Sequence, residues 1–129
     1  MRFVRYALVL VIALEIAVGE CFLVAARPFG HPWPVAALAA VVGNVVLGVA
    51  GARALGRTTG SVGPELVWLV VTLAFGSGPL GGDRVVPNTG RGIAFLIAGA
   101  AAAAGVVAVT RASALARKNG ASPEGLLRR

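Results

Sequence analysis

The chain has 129 residues, of which 57% are hydrophobic and only 13% charged, and its mean hydropathy is +0.85. Globular domains carry about 25% charged residues, and a soluble helical bundle needs a polar face on each helix, whereas Val35 to Ala52 offers only Asn44 among small and aliphatic side chains. A soluble fold is excluded, and so is a nucleic-acid surface despite the formal charge of +7, because the basic residues sit at helix ends and in the C-terminal tail.

A spanning helix needs about 20 mostly apolar residues, and four such segments occupy most of the sequence, at about 3–26, 35–55, 62–80 and 92–114. The expected fold is all-α, one domain over residues 1–129: a membrane bundle of four transmembrane helices with short loops and a basic tail at 115–129.

The first helix follows Arg2 and stops before Pro28, since the residue preceding a proline is pushed out of the helical region. Glu15 and Glu20 interrupt what a signal peptide would leave uncharged, so this helix is read as retained. Cys21 within it has no second cysteine to pair with and is read as a packing residue. Arg27 to Pro34 holds three prolines and interfacial aromatics, which suits a tight turn at headgroup level. His31 there is read as a solvated loop residue, because no second histidine completes a metal site.

The second helix carries an i, i+4 row of Ala36, Ala40, Asn44, Gly48 and Ala52, which lets another backbone approach closely. The third opens well, with Pro64 and Glu65 in its first turn. It closes badly, on Gly76-Ser77-Gly78-Pro79-Leu80-Gly81-Gly82, which predicts a short or tilted span. The fourth helix has its own small row, Ala94, Ala98, Ala101, Gly105, Ala108 and Ala112. The second and fourth helices are therefore expected to pack most tightly, with each other or across a dimer.

Sidedness follows from the basic residues. Arg2, Arg5, Arg53, Arg57, Arg111, Arg117, Lys118, Arg128 and Arg129 share one side, against Arg27, Arg84 and Arg91 on the other. That bias predicts both termini on the cytoplasmic side. Arg117, Lys118, Arg128 and Arg129 are expected to draw the tail to anionic lipid headgroups.

Glu15 falls near the middle of the first helix, where a carboxylate is costly and an ionisable group reads as functional. The same count places Asn44 and Thr72 at matching depth, giving a polar layer in which Glu15 donates to Asn44 and Thr72 satisfies itself on its own helix. Such a layer serves either as interhelical glue or as a proton and substrate site. Glu20, nearer the outer surface, is expected to pair with Arg27 or to face a wet vestibule. Neither a nucleotide-binding loop, a metal-ligand cluster nor a catalytic triad can be spelled from these residues, so no enzyme activity and no cofactor is expected.

Ala13-Leu14-Glu15-Ile16 in the first of four short helices, with Trp33-Pro34 opening the second, resembles small multidrug resistance transporters. That resemblance implies proton exchange for cationic drugs at Glu15 within a dimer. Gly51 to Gly60, followed by Pro64, Trp68-Leu69 and Gly78 to Asp83, is similar to a group of small actinobacterial four-helix membrane proteins of unassigned function. It implies architecture and a bacterial cytoplasmic membrane, and no activity. The function expected is thus an interaction or accessory subunit in the membrane, as a homo-oligomer or within a larger complex. The alternative is a proton-coupled small transporter working through Glu15.

Overall fold

The computed structural model describes residues 1–25, 34–78, 85–86 and 89–120 and is all-helical. Its helices are α1 (Arg2–Ala25), α2 (Val35–Leu55), α3 (Val62–Gly76) and α4 (Gly90–Gly120), with a 3-10 turn over Thr58–Ser61 leading into α3. All four are long and apolar enough to cross a membrane when that turn is counted with α3.

Helix ends follow local chemistry. At the end of α2, Gly56 takes a left-handed conformation with φ of 67°, which a side chain would disfavour. The N–H groups of Gly56 and Arg57 then reach back 3.2 Å to the carbonyls of Arg53 and Ala52, closing the last turn. At the start of α4, Thr89 Oγ1 accepts the Gly92 N–H at 3.5 Å. The third helix stops at Gly76, short of residue 80, and Ser77 N–H caps it on Leu73 O at 2.9 Å. Its 15 residues rise about 22 Å, and the 3-10 turn adds about 8 Å, which together match a hydrocarbon core of about 30 Å. By contrast α4, with 31 residues, rises about 46 Å and projects beyond that thickness.

Helices consecutive in sequence run antiparallel, so α1 and α3 point one way and α2 and α4 the other. Tyr6 of α1 meets Gly63 of α3, and Ser61 Oγ lies 3.2 Å from Thr110 Oγ1 of α4, so these three ends share one pole of the bundle. At the other pole the rings of Phe22 and Phe75 stack edge-on at 6.0 Å. The most extensive contact is α2 against α4, followed by α1 against α2. The core holds Ala13, Ala17, Cys21, Ala36, Ala40, Trp68 and Phe95. The outside is equally apolar: Leu38, Val42, Val70 and Ile97 are all exposed. In water such a surface would be an aggregation liability, whereas lipid tails would solvate it.

Residues 27–33, where a tight turn with His31 is expected, the end of the Gly-Pro stretch with Asp83 and Arg84, and the tail residues Arg128 and Arg129 lie outside the described residues.

Candidate functional site

The inward face of α1 is set by Ala13, Ala17, Cys21 and Val24, all buried. A helix turns about 100° per residue, so Glu20, seven residues past Ala13, falls back on that face and is buried, 4% exposed. Glu15, two residues past Ala13 and two before Ala17, falls on the opposite face and is exposed. The expectation that Glu15 donates to Asn44 is therefore corrected by helix rotation. Glu20, expected to pair with Arg27 or to face a wet vestibule, is instead buried with an interior donor, and Arg27 lies outside the described residues.

That partner is Trp68, itself 1% exposed, whose Nε1 donates to Glu20 Oε2 at 2.8 Å. An indole N–H buried in apolar surroundings requires an acceptor, and this one joins α3 to α1. The other side of the ring packs on α4, against Phe95 at a centroid distance of 5.6 Å and against Gly99, where no Cβ would fit. Asn44 Nδ2 donates to the Gly99 carbonyl at 3.3 Å, tying α2 to the same point of α4. Thr72 Oγ1 donates to the Trp68 carbonyl at 2.9 Å, within its own helix. The structure thus brings Asn44 and Thr72 into one interior with Glu20 and Trp68 and leaves Glu15 outside it.

Glu65 is the second buried carboxyl. It is 7% exposed, and neither oxygen has a hydrogen-bond partner among the described residues. A Cβ built at Gly48 would fall 2.6 Å from Glu65 Oε1 and 2.6 Å from Val106 Cγ1, so α2 admits the carboxyl only because residue 48 is glycine. A Cβ at Gly43 would likewise collide with Glu20 Oε1. Gly43 and Gly48 lie two and three residues from the midpoint of α2, so both carboxyls sit within about 5 Å of mid-helix depth. Between the sparsely touching α3 and α4 opens a cavity of about 460 Å³, lined by Glu65, Trp68 and Leu69 on one side and Ala103, Ala104 and Val107 on the other.

Of the small row on α2, Ala36, Ala40, Asn44 and Gly48 are buried and Ala52 is half-buried, with Gly51 also in the interface. The row proposed for α4 is corrected. Ala101, Gly105, Ala108 and Ala112 are exposed and Ala98 is half-buried, while Phe95, Gly99 and Val106 make the contact. Arg117 and Lys118 are exposed on the projecting end of α4, with Arg117 Nε donating to Ser113 O at 3.2 Å.

Chemically, two interior carboxyls with one indole donor can take up protons or hold a cation. No cluster of three or more His, Cys, Asp and Glu able to hold a metal occurs among the described residues. Trp68 is the member of this interior polar cluster that sequence reading missed. Its signal was an indole inside an apolar span, which had to find one of very few acceptors.

No protein-family model, curated protein or solved structure matches the chain.

Proposed function

We propose that the protein is a small integral protein of the cytoplasmic membrane, both termini inside, that works as a subunit of a helix assembly and pairs through the outer face of α1 with a second copy of itself. The observation that carries this reading is Glu15, exposed near the middle of an apolar helix. Facing lipid, a carboxylate at that depth costs about 2.5–3.5 kcal/mol on insertion scales, a cost relieved when another helix covers it. The surrounding surface suits close approach: Val11, Glu15, Gly19 and Leu23 form an exposed i, i+4 row, and no heavy atom lies within 4 Å of a Cβ built at Gly19. The outward row of Ala101, Gly105, Ala108 and Ala112 on α4 offers a second face of the same kind.

The test is the mass of the purified protein in mild detergent. Wild type is expected as a dimer or higher oligomer, and Glu15→Leu as a folded monomer, since Glu15 has no role inside the bundle. An unchanged oligomer in Glu15→Leu, or a monomeric wild type, removes the reading.

A second reading is favoured by a different observation, the paired interior carboxyls: a proton- or cation-coupled transporter working through Glu20 and Glu65 instead of Glu15. It requires that the purified protein bind a lipophilic cation with a pH dependence that Glu65→Gln abolishes and Glu15→Gln leaves in place.

A further inference from the structure

At the pole where α2 ends, a cleft of about 940 Å³ opens between the C-terminal turn of α2, the 3-10 turn and the C-terminal half of α4. Arg53, Arg57 and Arg117 line it from these three segments, and no acidic side chain lines it among the described residues. A fourth guanidinium comes from α1, where Arg2 Nη1 lies 3.7 Å from a Cβ built at Gly56, the glycine that turns the chain beside the cleft. Like charges gathered without a carboxylate repel one another, and an anion seated among them reverses that repulsion.

The lining is graded along the helix axes. Val49 of α2 and Val109 of α4 form the end toward the middle of the bundle. One turn further along α2 comes Arg53, and two turns further along α4 comes Arg117. Hydroxyls of Thr58, Thr59 and Ser113 stand among the arginines, beside the uncapped start of the 3-10 turn. Guanidinium groups bind phosphate oxygens in pairs through their planar fork, and hydroxyls complete such sites. Apolar walls below a basic rim fit a molecule with a phosphate head and hydrocarbon chains better than a free anion, which gains nothing from Val49 and Val109. Basic pockets between spanning helices on the cytoplasmic side hold lipid headgroups for this reason.

We propose that this cleft binds the phosphodiester headgroup of an anionic phospholipid, with Arg53, Arg57 and Arg117 on the phosphate and Val49 and Val109 against the upper acyl chains. The site is a defined pocket in the bundle, distinct from the diffuse attraction expected of Arg128 and Arg129 in the tail.

The experiment is lipid binding to the full-length protein in detergent, read by native mass spectrometry with phosphatidylglycerol, phosphatidylcholine and inorganic phosphate as probes. Wild type is expected to prefer phosphatidylglycerol over phosphatidylcholine by about tenfold or more, with inorganic phosphate failing to displace it. Arg53→Gln/Arg57→Gln/Arg117→Gln should bring the preference close to one, while Arg128→Gln/Arg129→Gln should keep it. If the triple variant does not fold, Arg57→Gln alone, in the turn after α2, should still lower the preference several-fold. The proposal is overturned by equal binding of the two lipids, by a preference that survives the pocket variants or vanishes in the tail variant, or by displacement of the lipid with inorganic phosphate.

Discussion

Two rows of small residues, one on α2 and one on α4, look alike in sequence, yet one ends inside the bundle and the other on its surface. On α2, Ala36, Ala40, Asn44 and Gly48 are buried, and two glycines admit carboxyls from α1 and α3. On α4, Ala101, Gly105, Ala108 and Ala112 look outward, and the helix meets its neighbours through Phe95, Gly99 and Val106 instead. The carboxyls divide in the same way, with Glu20 and Glu65 inside and Glu15 outside. Small or polar residues therefore occur on both inner and outer faces of these helices, and rotation decides which of them meet a neighbour within the chain.

The contrast is broken most severely at Gly48. Replacing it with Leu drives a side chain into Glu65 and Val106 at once, and overpacking of a filled interior costs about 1–3 kcal/mol. Gly48→Leu is expected to unfold in detergent well below wild type or to fail to accumulate, as followed by thermal aggregation. Trp68→Phe comes next. It keeps the ring on Phe95 but strips Glu20 of its donor, a loss of about 1–1.7 kcal/mol by the upper range of membrane hydrogen bonds, read as a lowered midpoint of detergent unfolding. Asn44→Ala should cost less, about 0.6 kcal/mol, because the Gly99 carbonyl it leaves remains within a helix. Gly105→Leu closes the series. No atom lies within 4 Å of a Cβ there, so its midpoint should stay within about 0.5 kcal/mol of wild type once the protein is held monomeric.

Much of the fold was legible because bilayer thickness imposes a length that composition reports directly. Four helices and the buried row on α2 follow from counting apolar and small residues, whereas the extensive α2–α4 contact was expected through a row on α4 that does not make it. What counting could not supply is rotation. On α4 nearly every position from Ala98 to Gly105 is small or apolar, so several rows qualify equally, and the choice falls to two bulky contacts, Phe95 and Val106, that the pattern does not single out. On α1 the information was present. Ala13, Ala17 and Cys21 make an i, i+4 row whose face includes Glu20 and excludes Glu15, yet depth alone drew the reading to Glu15. Glu65 was legible as a helix-start residue, but its burial against Gly48 depends on how α3 leans on α2, which no local signal encodes. The cleft with Arg53, Arg57 and Arg117 gathers three segments distant in sequence, whereas the sequence assigned Arg117 to the tail with Lys118.

The inside-outside division is tested most directly at Gly19, one turn from Glu15 on the exposed face of α1. In a Cys21→Ala background, Gly19→Cys is the sole thiol, and mild oxidation in native membranes should convert it to a disulfide-linked dimer, while the same treatment of wild type, with Cys21 buried, leaves a monomer band. Absence of cross-linking at Gly19, with the variant folded and the thiol open to lipid-soluble reagents, contradicts pairing through α1 and leaves Glu15 facing lipid uncovered.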